Sequence, residues 1–119
     1  MALMHYKPGQ AMPVAPLGTQ LALVTTHALL KTPSLELIRL VMRAGDVLPP
    51  HQVRGELTLQ CIEGEVEVTM DGKVCLLRAH ELLLMSPSVQ HGLRANIDSS
   101  LLLTIQLPPG TPGSASSTG

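Results

Sequence analysis

The sequence is almost free of aromatic residues: Tyr6 is the only one, and Phe and Trp are absent. Any core must therefore be filled by aliphatic side chains and by the six Met residues, which pack flexibly. The stacking platforms on which single-stranded nucleic acids bind are also missing. Lys and Arg are scattered and the net charge is −1, so the sequence carries no basic footprint for nucleic acid or for an anionic membrane.

Charge and cysteine are scarce as well. Only 14% of the residues are charged, which leaves much neutral surface, so we expect a second subunit to cover part of it in a homodimer. The two cysteines, Cys61 and Cys75, lack the spacing of a zinc site and are predicted to be free, buried thiols. No apolar run reaches 18 residues and the N-terminus does not resemble a signal peptide, so we expect a cytoplasmic protein with no membrane segment.

The length of 119 residues suits one domain. Residues 1–14 contain several Pro and Gly and are predicted to form an irregular arm. Residues 108–119 are a Pro, Gly, Ser and Thr tract with nothing apolar to bury, which predicts a disordered tail. The folded domain is then expected to span residues 15–107.

Short strands are the predicted elements of this domain. Apolar and polar residues alternate in three segments, as they do in half-buried strands whose successive side chains leave opposite faces. In the first segment Leu57, Leu59 and Cys61 share the apolar face. The segments are 56–62, 65–70 and 101–107.

Turn residues separate the strand-like segments. Asp71-Gly72 is a strong signal for a two-residue hairpin, because both positions require positive φ. Glu63-Gly64 and residues 44–46 mark further tight turns, and the β-branched residues in 21–30 tilt that ambiguous stretch towards strand. Many short strands without a clear helix indicate an all-β sandwich or small barrel.

Two segments resemble the conserved motifs of the cupin superfamily. Residues 45–64 read GDVLPPHQVRGELTLQCIEG and are similar to the first motif, and residues 80–95 read HELLLMSPSVQHGLRA and are similar to the second. The resemblance implies a single-domain RmlC-like cupin, an all-β double-stranded β-helix or jelly-roll barrel. The strand pattern from the residues alone agrees with this fold class.

The resemblance also implies a metal site, which this sequence has partly lost. Two His and one Glu of the first cupin motif, with one His of the second, hold a divalent metal. The first histidine of the first motif corresponds to His51, and the histidine of the second motif corresponds to His91. The other two ligand positions of the first motif, a histidine and the Glu, correspond to Val53 and Leu57. Val and Leu offer no lone pair, so two imidazoles remain where zinc or iron sites use three or four ligands. Whether Zn, Fe, Mn or Ni binds is therefore open.

Two substitutes for the missing ligands are conceivable. A β-bulge before Leu57 would turn the adjacent Glu56 inward and complete a His51, Glu56, His91 site. Gln60 offers another oxygen, although alternation places it on the same outward face as Glu56.

We therefore expect a binding module that holds a small, largely apolar ligand in its barrel, with the two histidines as polar contacts. The predicted pocket consists of His51, Val53, Leu57, Leu59, Cys61 and His91. One alternative is a metal-dependent dioxygenase or isomerase that uses His51, His91 and Glu56. Another is metal-free acid–base catalysis by a histidine, for which Tyr6 in the arm would be the acid. The sequence leaves catalysis undecided, since this scaffold hosts many chemistries.

Other chemically active residues are expected to be structural. His80 stands at a turn position that is glycine in the motif and is predicted to be exposed. Ser86 and Ser88 replace motif Pro and Gly, and no nucleophile elbow surrounds them. Arg39 and Arg43 share a strand face and are predicted to form interface or rim contacts.

Overall fold

The computed structural model describes residues 5–109, which fold into two antiparallel sheets preceded by a short 3₁₀ helix, Gly18–Leu23. The strands are β1 His27–Lys31, β2 Leu35–Met42, β3 Val47–His51, β4 Leu57–Glu63, β5 Glu65–Met70, β6 Lys73–Arg78, β7 Leu82–Met85, β8 His91–Ala95 and β9 Ser99–Gln106.

The five-stranded sheet has the order β1-β2-β9-β4-β7 and the four-stranded sheet the order β3-β8-β5-β6. The connections β2–β3, β4–β5 and β6–β7 pass from one sheet to the other, so the two sheets enclose a single interior. This arrangement is an antiparallel jelly-roll barrel, and the predicted all-β fold class is confirmed.

The period-2 patterns mark real strands. The three predicted segments correspond to β4, β5 and β9, the last of which begins two residues earlier than expected. The hairpin between β5 and β6 turns at Asp71 and Gly72, whose φ values of 49° and 83° are both positive, as a two-residue turn requires. Gly64 connects β4 to β5 with φ 93°, and a Cβ there would lie 2.2 Å from Ser99 Oγ, so only glycine fits.

The prediction that residues 21–30 tilt towards strand is half wrong. Strand β1 begins only at His27, and Leu21 belongs to the 3₁₀ helix, which buries this leucine. A contact distant in sequence decides the difference: the carboxylate of Glu63 accepts the N–H groups of Leu17 and Gly18 at 2.7 and 3.0 Å. The β propensities of residues 21–30 contain no information about these hydrogen bonds to Glu63.

Aliphatic side chains fill the barrel, as the lack of aromatic residues requires. Leu57, Leu59 and Cys61 of β4 are 2%, 1% and 0% exposed and face the interior. They pack against the inward rows of neighbouring strands, including Val66 and Val68 of β5. Burial of this row contributes about 1.5–3 kcal/mol for each large side chain.

The two terminal segments are only partly described. The predicted arm is represented by residues 5–14, where the N–H of Tyr6 donates to the carbonyl of Leu29 in β1. Residues 1–4 of that arm and residues 110–119 of the predicted tail lie outside the described residues. Among residues 5–109 no helix is long and apolar enough to cross a membrane.

Candidate functional site: a histidine pair at the open end of the barrel

The structure brings together the two histidines that the motifs singled out. His51 ends β3 and pairs with His91 at the start of β8, and their ring centroids are 4.4 Å apart with an interplanar angle of 53°. A register shift between Leu48 and His51 bulges β3 over Gly92. A Cβ on Gly92 would meet the Leu48 carbonyl oxygen at 3.1 Å, so this glycine permits the close approach.

Both imidazoles are oriented by backbone carbonyls. His51 Nδ1 lies 3.3 Å from the carbonyl oxygen of Pro49, and His91 Nδ1 lies 3.1 Å from that of Val89. A carbonyl oxygen only accepts hydrogen bonds, so in the neutral ring the proton resides on Nδ1 and Nε2 is left as an acceptor. The pair therefore presents two Nε2 lone pairs.

Burial favours the neutral form of His91. This side chain is 4% exposed, and desolvation lowers its pKa below the usual 6.5. The neighbouring ring of His51 lowers the pKa further, while the hydrogen bond to Val89 opposes the shift. His51 is exposed at the rim. The site therefore consists of the buried Nε2 acceptor of His91 and the solvent-exposed ring of His51 beside it.

The histidine pair marks one end of the barrel, which we call the open end. Because Gly64 joins β4 to β5, the start of β4 at Leu57 and the end of β5 at Met70 lie at the end remote from this turn. Met70 pairs with His91, so the histidines lie at that same remote end. Residues 43–46 join the end of β2 to the start of β3, as Gly64 joins β4 to β5. The start of β2 and the end of β3 at His51 therefore lie at the same end of the barrel.

The other predicted pocket residues lie at different depths. Val53, which takes the place of a motif histidine, is partly buried and packs against the core near the open end. Leu57, Leu59 and Cys61 are fully buried core residues, whereas His51 is exposed and Val53 is partly buried. Burial raises the pKa of the Cys61 thiol to about 11, which removes it as a nucleophile at neutral pH.

The donors at this end do not fit a metal site. Glu56 is exposed while the adjacent Leu57 is buried and faces the interior, so Glu56 does not turn inward. Gln60 pairs with Leu82 and Leu102 on the outer face. Within residues 5–109 no group of three His, Cys, Asp or Glu side chains is placed to hold a metal ion.

A further polar residue at the open end was missed from the sequence. Glu36 of β2 pairs with Ile105 of β9, which pairs with Leu57. Directly opposed residues point to the same face, so Glu36 faces the interior and is 8% exposed. The signal was available: in the alternation of β2, Glu36 shares a face with Leu40 and Met42.

The remaining candidates lie elsewhere. Tyr6 lies beside β1 on the five-stranded sheet, whereas both histidines are on the other sheet. His80 is exposed at its turn, as predicted. The prediction for Arg39 is wrong: its side chain is 4% exposed beneath the N-terminal segment, where it donates to the Ala15 carbonyl and to Ser100 Oγ.

A groove of about 200 Å³ lies on the outside of the four-stranded sheet. Glu67, Thr69 and Arg94 border it together with the proline bulge of β3. Outward residues of β5 and β8 form this surface, so it is separate from the histidine pair. The open end is the stronger candidate, because the two histidines are in ring contact there and the inward-facing Glu36 lies at the same end.

Comparison with solved structures supports the fold. A cupin superfamily protein from Desulfitobacterium hafniense is 13% identical, with 91% of this chain and 100% of that chain covered and a TM-score of 0.72. An RmlC-like cupin from Desulfovibrio desulfuricans is 26% identical over 86% and 97% of the two chains, with a TM-score of 0.65. No protein-family model and no curated protein sequence matches the chain significantly.

Enzymes are also among the similar structures. The salicylate 1,2-dioxygenase of Pseudoaminobacter salicylatoxidans is 22% identical over 66% of this chain and 23% of its own, with a TM-score of 0.60. Since proteins of unknown function and enzymes share this architecture, the likeness establishes the fold and leaves the activity to the site.

Proposed function

Because the chain has the fold of the RmlC-like cupins and is consistent with that superfamily, we propose that it uses its barrel as a binding site for a small, largely apolar ligand. His51 and His91 supply the polar contacts through Nε2, and Val53 contributes apolar wall. The observation that carries the proposal is the 4.4 Å ring pair with both Nδ1 atoms turned to backbone carbonyls. The ligand then needs an apolar body and a hydrogen-bond donor.

The proposal is tested with cyclohexanol, which combines an apolar ring with one hydroxyl donor. Long-range ¹H–¹⁵N spectra of the histidine side chains are expected to show Nε2 shifts for His51 and His91 as cyclohexanol is added. His27 is an internal control, because its Nδ1 also faces a backbone carbonyl, that of Thr25 at 2.7 Å, yet it lies on β1. Equal shifts at all three histidines, or none, would reject the site.

Substitution provides the second arm of this test. We expect His91→Ala to weaken cyclohexanol binding by about tenfold or more, since its acceptor is buried, while His27→Ala leaves binding unchanged. The alternative of a metal-dependent dioxygenase or isomerase predicts near-stoichiometric metal in the purified protein. Elemental analysis beside a His51→Ala, His91→Ala variant tests that alternative directly.

The homodimer expected from the low charge is also a proposal. We infer that a second copy covers the β4–β7 part of the outer face of the five-stranded sheet, where Leu82 and Leu84 are 64% and 60% exposed. Their cross-strand neighbours on β4 are Gln60 and Thr58, which are uncharged, so two copies of this surface meet without like-charge repulsion. The outer face of the four-stranded sheet is different, because it carries Glu65, Glu67, Arg78 and Arg94.

Matched charge insertions test the choice of face. Leu82→Arg with Leu84→Arg is expected to convert a dimer into a monomer in sedimentation measurements. Val74→Arg with Leu76→Arg adds the same charge to the four-stranded sheet and is expected to leave the mass unchanged. A monomeric native protein, or dissociation by the second pair alone, would reject this interface.

A cytoplasmic location is kept as part of the proposal. Cys61 and Cys75 are both free thiols, and free cysteines persist in reducing compartments. The prediction that both are buried holds for Cys61 only, since Cys75 is half-buried on β6. Labelling with a thiol-specific reagent in intact cells, with and without a reductant, tests whether both remain reduced.

A further inference from the structure

The groove on the outside of the four-stranded sheet, which we call the outer groove, lies over a glycine. On β8 the outward positions are 92 and 94, because Leu93 faces the core. Gly92 lies opposite Thr69 of β5 and has no side chain, so a depression remains between Thr69 and the bulge of β3. This depression is the groove of about 200 Å³, and its apolar wall consists of Val47, Leu48 and Pro50.

Two pairs of opposite charges lie on this face of the sheet, and a salt bridge joins only one of them. Glu65 of β5 lies opposite Arg78 of β6, and Arg78 Nε is 3.5 Å from Glu65 Oε1. Glu67 of β5 lies opposite Arg94 of β8 in the same kind of cross-strand pair. Within residues 5–109, however, neither of these two side chains forms a hydrogen bond or an ion pair. The pair without a bridge is the one that borders the outer groove.

The surrounding residues provide no other direct counter-charge for this pair. The second cross-strand neighbour of Glu67 is Leu76, and the second cross-strand neighbour of Arg94 is Val47. Both neighbours are apolar, so each charged group has only the other as a charged cross-strand neighbour. A molecule in the outer groove therefore meets one anion and one cation that have no partner among the described side chains.

A ligand that satisfies both groups must carry a cation and an anion close together. Directly opposed Cβ atoms of an antiparallel pair are about 4.5–5.5 Å apart, so the two side chains can reach one small molecule together. An α-amino acid carries an ammonium group and a carboxylate on the same carbon atom. Its ammonium group can donate to Glu67, and Arg94 can donate two parallel N–H groups to its carboxylate. A singly charged ligand leaves one of the two groups to water.

The size of the outer groove restricts the rest of the ligand. Its volume is that of roughly seven water molecules, which admits a small side chain and excludes a long one. The wall formed by Val47, Leu48 and Pro50 offers no charged group, so an aliphatic side chain suits it.

We propose that the outer groove binds a free α-amino acid with a small aliphatic side chain. Arg94 holds the carboxylate, Glu67 holds the ammonium group, and the side chain lies against the wall of β3. The inference is independent of the proposed function, because the outer groove does not include the histidine pair. Arg94 is exposed and Glu67 is half-buried, and charge pairs in such positions are weak, so we expect a dissociation constant of roughly 1–10 mM.

The experiment compares L-leucine with 3-methylbutylamine, which lacks its carboxylate, and with 4-methylpentanoate, which lacks its ammonium group. Each is titrated at pH 7 against the backbone amide of Gly92 and the Nε–H of Arg94 in ¹H–¹⁵N spectra. Leucine is expected to shift both resonances and to bind at least about threefold more tightly than either analogue. The amide of Gly64, in the turn between β4 and β5, is the reference that should not shift.

Two substitutions assign the two charges. Arg94→Gln is expected to abolish the advantage of leucine over 3-methylbutylamine and to keep its advantage over 4-methylpentanoate. Glu67→Gln is expected to do the reverse. Neither side chain has a hydrogen bond or ion pair within the described part of the chain, so both variants should fold. The matched control is Arg78→Gln, which removes the same charge from the bridged pair on this face and should preserve both advantages.

Several results would overturn the proposal. The first is equal binding of all three compounds, and the second is an advantage of leucine that survives both substitutions. Leucine shifts that appear at His51 and His91 but not at Gly92 would place the amino acid in the barrel and reject the outer groove. If Gly92 does not shift as leucine is added, water satisfies the two charges and the outer groove binds no amino acid.

Discussion

Two acidic side chains of the five-stranded sheet differ in the partners that the chain provides for them. Glu63, at the end of β4, accepts hydrogen bonds from the N–H groups of Leu17 and Gly18 and from the Ser100 hydroxyl, and Arg39 Nη2 lies 3.9 Å from Glu63 Oε2. Glu36, near the start of β2, has none of these among the described residues. The first carboxylate anchors the N-terminal segment to the outer face, and the second points into the open end.

The difference shows which polar groups belong to the scaffold. Every oxygen interaction of Glu63 is made within the chain, so its charge stabilises the fold and is unavailable to a ligand. These bonds hold the pKa of Glu63 below 4.5, even though burial acts in the opposite direction. The carboxylate of Glu36 has no such bonds among the described residues, so it contributes no comparable anchor to the fold.

The largest expected effect is on stability. Glu63→Ala leaves Arg39 buried without its counter-charge and frees the N–H groups of Leu17 and Gly18. We expect the free energy of unfolding to fall by about 3–5 kcal/mol in urea denaturation. Glu67→Ala, at an outer-face position, is expected to change it by about 0.5 kcal/mol or less. Similar losses in both variants would show that Glu63 is not an anchor.

Lowering the pH is expected to remove the stability that the Glu63 carboxylate contributes. A carboxylate with a lowered folded-state pKa contributes stability above its unfolded value, and that contribution is lost as the pH falls through the folded value. Stability is therefore expected to decline below pH 4.5 in the native protein and to decline less in Glu63→Gln. Urea midpoints between pH 7 and pH 3 measure this. Parallel curves for the two proteins would remove Glu63 as the cause.

Relief of backbone strain is expected to have a smaller effect on stability, and one strained residue from each of the two ends of the barrel provides a test. Two motif glycines are replaced, by His80 between β6 and β7 and by Ser88 in the loop before His91, yet φ remains positive at 75° and 65°. A left-handed conformation costs a non-glycine residue about 1–2 kcal/mol. We expect His80→Gly and Ser88→Gly each to raise the thermal midpoint, while alanine at either position does not. A rise with alanine would exclude backbone strain as the reason.

The smallest change is expected at Glu36 itself. Glu36→Gln removes a charge that makes no hydrogen bond or ion pair among the described residues, so the free energy of unfolding should stay constant or rise by about 1 kcal/mol. Chemical denaturation beside Glu63→Gln measures the contrast. A loss comparable to that of Glu63→Gln would mean that Glu36 is structural, and the comparison between the two acids would collapse.

Much of the fold could be predicted because its signals are local. The alternation in β4, β5 and β9 and the Asp71-Gly72 turn depend only on neighbouring residues, whose side chains must alternate across a pleat. The 3₁₀ helix could not be predicted in this way, because its start is fixed by Glu63, a residue distant in sequence.

The site was predictable only in part. The resemblance to the cupin motifs indicated His51 and His91, and the structure pairs them in one ring contact. Arg39 was misplaced because its burial depends on the N-terminal segment folding over it, which no pattern within β2 encodes. Glu36 was overlooked because an acid in a strand is usually assigned to solvent, whereas here it occupies the inward register.

By itself, the sequence determined most of the strands and turns, and it also shows that Val53 and Leu57 have no lone pairs to offer a metal in any conformation. Only the tertiary structure decided which charged groups are satisfied. Glu63 accepts hydrogen bonds from the N-terminal segment, which is distant in sequence, and Glu36 occupies the inward register of β2 because it pairs with Ile105 of β9. Such pairings depend on three-dimensional register, which neither composition nor periodicity contains.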